Sequence, residues 1–164
     1  MKIFRLFFLG CVILFAQTTQ AQFEQYDLTK RPQTDKPVRI FVTALWCDPC
    51  MRKYKELLHE FQTDTLHHNL IVFDVLGFTY EKLRKIEPQQ YDSSKCFFMP
   101  RSFYRLKSLL VINGAQKALE RFLAGLARLY QSNYRFPKFG YGNMIAISKD
   151  GQLSHEEYPV KEDK

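Results

Sequence analysis

Val38-Arg39-Ile40-Phe41-Val42-Thr43-Ala44-Leu45-Trp46-Cys47-Asp48-Pro49-Cys50 is the stretch on which the fold turns. Val38 to Leu45 is β-branched or apolar at every position but Arg39 and is too short for a buried helix, so it predicts a buried strand. Pro49 suits the first turn of a helix, where its missing N–H is not needed. Beyond it, Tyr54, Leu57, Leu58 and Phe61 fall on one helical face and predict a helix over Met51–Phe61. Cys47 and Cys50 therefore sit where a buried strand passes into a helix.

Working outward, Asn69–Leu76 reads as a second buried strand, and Thr79–Ile86 as a short helix ended by Pro88. Met144–Ser148 reads as a third strand. Lys149-Asp150-Gly151-Gln152 carries the Asp-Gly signal of a tight hairpin, returning over Leu153–Tyr158. The helical crossover predicts parallel pairing of the first two strands. In the middle, Phe103, Leu106, Leu109 and Leu110 suggest one helix, halted near Asn113-Gly114. Leu119, Phe122, Leu123, Leu126 and Tyr130 suggest another, from about Ala115 to Gln131. Strands and helices in this order predict an α/β fold.

The chain has 164 residues, enough for one domain, and its 15% aromatic content argues against disorder, collagen and coiled coil. No stretch reaches the roughly 18 consecutive apolar residues that would span a bilayer. Lys2 and Arg5 precede an apolar run from Leu6 to Ala16, and Thr19-Gln20-Ala21 offers small residues where a signal peptidase cuts. Residues 1–21 are thus expected to be a signal peptide, and the protein to be exported, into the periplasm if the cell is Gram-negative. A core helix there is opposed by the polar stretch that follows at once. Phe8-Leu9-Gly10-Cys11 has a faint likeness to a lipoprotein box, but the apolar run continues past Cys11 to Phe15. Residues 22–37, with Pro32 and Pro37, read as an N-terminal arm, and 38–164 as the domain proper.

Cleavage after Ala21 lowers the net charge from +7 to +5 and leaves Cys47, Cys50 and Cys96. Residues 95–140 carry nine basic side chains against Glu120 alone. This section is read as a solvated helix face beside an apolar one, or as a docking surface for an acidic partner or anionic lipid. No basic-aromatic pattern specific to nucleic acid occurs, so no nucleic-acid partner is expected.

Two thiols spaced Cys-x-x-Cys at a helix start can close a small disulfide. The first lies near helix N-terminal N–H groups, which favour its thiolate, the attacking form. Cys47 is accordingly the candidate nucleophile, and Cys50 the resolver of a mixed disulfide. Asp48, between them, disfavours the Cys47 thiolate, whereas Arg52, Lys53 and Lys55 favour it.

A buried strand running into Trp46-Cys47-Asp48-Pro49-Cys50, then helix, strand and terminal hairpin, resembles the thioredoxin-like superfamily. The exported setting and the Lys-Asp-Gly hairpin are most similar to TlpA-like exported thiol-disulfide oxidoreductases. The resemblance covers roughly residues 36–87 and 141–158. It implies a central mixed sheet flanked by helices, here with a helical insertion over about 91–135 before the final hairpin. It implies that Trp46 shields the disulfide and that Pro49 keeps the couple reducing. It also implies protein disulfide substrates, an electron donor in the membrane, and no bound cofactor, since the dithiol is itself the redox group.

Three departures stand out. The family's cis-proline before the strand that leads into the hairpin is replaced by Asn143, after Gly142, and the nearest proline is Pro137. A cis bond without proline costs roughly 2.5–4 kcal/mol, so Asn143 is expected to be trans and the substrate groove, at Gly142 and Asn143, altered. The family's buried acid on the strand before the motif is replaced by Phe41. The closing helix has no counterpart in Pro159–Lys164.

Two other readings stand beside the redox one. Cys47, Cys50 and Cys96 with one of His59, His67 or His68 could ligate zinc, although no second paired half-site exists. A thioredoxin-like binding module with a merely structural disulfide would suit the missing proline and acid. Cys96 reads as a small buried hydrophobe or as a third redox thiol. The aromatics from Tyr134 to Tyr141, Phe136 and Phe139 among them, read as an apolar rim for substrate or as ordinary loop packing.

Overall fold

A computed structural model describes residues 24–76, 95–104, 114–136 and 138–156. The segment expected to be a signal peptide, with Cys11, the helix expected over Thr79–Ile86, most of the helix expected from Phe103, Pro137 and the last eight residues lie outside the described residues.

Along the chain come β1 (Glu24–Gln25), β2 (Val38–Ala44), α1 (Asp48–Thr63), β3 (His68–Asp74) and β4 (Cys96–Phe98). A 3-10 turn (Arg101–Phe103), α2 (Gly114–Leu129), β5 (Asn143–Ile147) and β6 (Leu153–Glu156) follow. The six strands form one mixed sheet in the order β1-β4-β3-β2-β5-β6. As expected, β2 and β3 are parallel, in register from Val38↔His68 to Ala44↔Asp74. On its other side β2 pairs antiparallel with β5, which turns back into β6.

Alternation along β2 sends its side chains to two cores, because successive strand residues point to opposite faces. Ile40 and Val42, with Leu70, Val72, Ile145 and Ile147, pack with Leu119, Phe122, Leu123 and Leu126 of α2. Phe41, with Ile71, Phe73 and Met144, packs with Leu57, Leu58 and Phe61 of α1. Among the described residues, one helix therefore packs on each face of the sheet. Each fully buried apolar side chain contributes about 1.5–3 kcal/mol, so these cores fix the end of β2 firmly in place.

Two strands have no signal in the sequence reading. β4 opens the stretch taken as a helical insertion and instead slots between β3 and β1. The insertion is helical only from Gly114 onward among the described residues, apart from the short turn at Arg101–Phe103. β1 comes from the segment read as an arm. Three or fewer residues show no period, so only backbone pairing, such as the Tyr26 N–H to the Phe98 carbonyl at 2.8 Å, reveals such strands. Cys96 is buried in β4, as its hydrophobe reading expects.

α2 ends in a Schellman arrangement. The Ser132 N–H reaches the Ala127 carbonyl at 2.8 Å and that of Gln131 reaches Arg128 at 3.1 Å. Gln131 takes the left-handed position, φ 51°, without being glycine. The final hairpin has a three-residue loop rather than a two-residue one. Gly151 adopts φ 86° while the Ser148 N–H donates to the Gln152 carbonyl at 3.0 Å.

Candidate functional site

β2 and β3 end side by side at Ala44 and Asp74, and the chain leaves β2 through Leu45 and Trp46 into α1. The Leu45 N–H donates to the Asp74 carbonyl at 3.3 Å, and that of Cys47 to the Ala44 carbonyl at 3.0 Å. These bonds turn the chain so that Cys47 becomes the N-cap of α1, in extended conformation, with Pro49 in the first turn. Helix N-termini leave N–H groups without intrahelical partners, and the Cys47 sulfur accepts one of them, from Cys50, at 3.3 Å. Cys47 and Cys50 are joined as a disulfide with Cα atoms 5.2 Å apart. Cys47 is half-buried and Cys50 buried, while Asp48 and Pro49 are exposed. The outer sulfur is thus the one open to attack or to leave, and the inner one is walled in.

Gly142 forms part of that wall. A Cβ built there would lie 3.7 Å from the Cys50 sulfur, at a φ of 86° that favours glycine. The Gly142 N–H donates to the Val42 carbonyl at 2.8 Å, and Asn143 pairs with Val42 in the sheet. No cis peptide occurs among the described residues, Asn143 included. Gly142 therefore meets the motif, and Asn143 opens β5 half-buried beside it.

Trp46 is 46% exposed and meets the Tyr141 ring edge-on, centroids 5.3 Å apart. Of the aromatics expected to form a rim, Tyr141 alone is placed against the motif by a ring contact. Phe139 is buried in the core, and Tyr134, Phe136 and Phe139 cluster with one another around His155 of β6.

The strand before the motif has Phe41 facing α1, but an acid is present on the neighbouring strand: Asp74 is wholly buried. Its Oδ1 accepts from the Tyr104 hydroxyl at 2.7 Å and from the Leu76 N–H at 2.8 Å. The Tyr141 hydroxyl bonds its Oδ2 and also lies 2.8 Å from the Ala115 carbonyl. Burial pushes the Asp74 carboxyl above its ordinary value, against the opposing pull of the Tyr141, Tyr104 and Leu76 hydrogen bonds. Tyr141 has one phenolic proton for two acceptors, so a proton on Asp74 completes the chain from carboxyl to phenol to carbonyl. Burial, and next the charge that Asp74 carries once ionised, push both tyrosines far above the usual phenol range. The readable sign of this group is an Asp directly after the apolar run Leu70–Phe73.

The thiols and histidines of the zinc reading do not converge. His68 pairs with Val38 at the far end of β3, six residues of strand from Asp74, which is about 20 Å at strand rise. The His67 ring bonds Asp64 at 2.9 Å. Among the described residues no three His, Cys, Asp or Glu side chains are grouped to hold a metal. On α2, Lys117 and Arg128 are exposed and Arg121 donates to the Phe103 carbonyl, while Ala118, Leu119, Phe122, Leu123 and Leu126 of the same helix are buried.

No family model matches the chain, and comparison with curated proteins and with solved structures finds no match to either.

Proposed function

We propose that this is an exported thioredoxin-fold thiol-disulfide oxidoreductase that reduces or exchanges protein disulfides through Cys47 and Cys50. The observation that carries the reading is the asymmetry of the pair: Cys47 half-buried at the N-cap of α1, Cys50 buried behind it. In the reduced protein the helix N-terminus and the Cys50 N–H favour a thiolate on Cys47. That thiolate attacks a substrate disulfide, whose S–S bond breaks; the leaving substrate thiolate takes up a proton. Cys50, losing its proton, then attacks the Cys47 sulfur, and the second substrate thiol departs. The substrate gains two electrons and two protons, and Cys47–Cys50 becomes the disulfide. Recharging the pair requires a dithiol donor, which for an exported protein is membrane-bound. Reduction is favoured over oxidation by Pro49 and Asp48, and the exposed Lys117 and Arg128 offer a contact for an acidic partner or anionic lipid.

The test is capture of a mixed disulfide. Folded, reduced Cys50→Ser protein, incubated with oxidised glutathione, should gain one glutathione on Cys47 by intact mass, whereas Cys47→Ser,Cys96→Ser protein should gain none. Absence of an adduct on Cys47 in the folded protein would replace this reading by that of a binding module with a structural disulfide.

A further inference from the structure

The Tyr141 side chain joins three parts of the site. Its hydroxyl bonds the buried Asp74 at the end of β3 and the Ala115 carbonyl at the start of α2. Its ring braces the exposed indole of Trp46, immediately before the outer cysteine. The next residue, Gly142, closes against the sulfur of the inner one. A phenol anchored at its hydroxyl end on a buried carboxyl cannot swing away without breaking that anchor. The indole, next in the chain to Cys47, and the glycine backbone against Cys50 are therefore held in place.

We propose that Tyr141, fixed by Asp74, is a positioning residue that sets the redox equilibrium of the Cys47–Cys50 couple. This rests on the thiol-disulfide reading above. Asp74 and Tyr141 act through Trp46 and Gly142 rather than on either sulfur. Gly142 is seated against the Cys50 sulfur of the disulfide form and Trp46 adjoins Cys47 in the chain, so this arrangement favours the disulfide, and loosening it favours the dithiol. Tyr104 supplies an internal control. It donates to the same carboxyl, through the other oxygen, and bonds Asp74, Val75 and Arg101 rather than the motif.

The experiment equilibrates the full mature protein in glutathione buffers and reads the reduced fraction by alkylation and mass. Wild type is compared with Tyr141→Phe, Asp74→Asn and Tyr104→Phe. Trp46 is the sole tryptophan, so its emission reports on the brace in the same samples and confirms folding. Tyr141→Phe and Asp74→Asn should each shift the equilibrium constant three- to tenfold toward the dithiol and change the emission difference between the oxidised and reduced forms. Tyr104→Phe should lower the urea midpoint while leaving the constant within twofold. If Tyr141→Phe and Asp74→Asn both stay folded and within twofold of wild type, or if Tyr104→Phe shifts the constant as much as they do, the positioning role is refuted while the redox reading survives. Should one variant fail to fold, the other decides alone; should both fail, Tyr141→Trp, which keeps a ring against Trp46 but loses the hydroxyl, decides by the same constant. If wild type itself shows no exchange, the redox reading fails, and this role with it.

Discussion

Gly142 and Cys50 meet backbone to side chain: the glycine turns with φ 86° directly over the buried sulfur, close enough that a Cβ would touch it at 3.7 Å. That distance is ordinary van der Waals contact, so the constraint on residue 142 is conformational rather than steric. Gly142→Ala should therefore cost about 1–2 kcal/mol from the left-handed backbone alone. Urea unfolding of the oxidised protein checks this. A loss well above that range would mean that the added methyl displaces the disulfide.

Gln131 presents the opposite opportunity. It occupies the left-handed closing position of α2 with an exposed side chain. Gln131→Gly should stabilise the protein by up to about 1 kcal/mol, the penalty of the left-handed conformation less the extra entropy of glycine in the unfolded chain. Denaturant midpoints of the two proteins, compared at equal slope, decide the sign.

Asp74 and Asp64 should respond to pH in opposite senses. Asp74 is raised above the ordinary 3.8, first by burial. The folded state then holds its proton more tightly than the unfolded one. The associated stability is complete below the ordinary value and is lost as pH rises through the raised one. The difference in unfolding free energy between wild type and Asp74→Asn should fall across that window and flatten above it. A difference that instead grows with pH would show Asp74 to be held as a carboxylate.

For Asp64, burial acts to raise the carboxyl, but hydrogen bonds from Asn69, Leu66 and His67 outweigh it and hold it at about 2. Arg39 lies 3.7 Å away and adds to the same cluster. The stability this provides is present above the ordinary 3.8 and is lost as pH falls through about 2. Asp64→Asn should cost on the order of 1–3 kcal/mol near neutrality and progressively less in acid. A cost that is independent of pH would assign the loss to shape rather than charge.

The parts legible in the sequence are those written locally. The β-branched run into Trp46-Cys47 gives β2 and the motif, and the spacing of Tyr54, Leu57, Leu58 and Phe61 gives α1. The apolar face from Ala118 to Leu126 gives α2. β1 and β4 are too short to carry a pattern and exist through pairing with distant strands. The tyrosines around Asp74 were illegible for the same reason, lying 30 and 67 positions along the chain from it. Tyr141 reads as one aromatic among the four from Tyr134 to Tyr141 until the fold separates it from Phe139.

The most direct measurement is the redox equilibrium of the wild-type Cys47–Cys50 pair in metal-free glutathione buffers, read by alkylation and intact mass. A single two-thiol transition, lost in Cys47→Ser, is expected, with a midpoint nearer the roughly −270 mV of thioredoxin than the roughly −120 mV of a strong oxidant. A pair that stays oxidised until the protein unfolds would contradict a redox function and leave the disulfide as a staple at the start of α1.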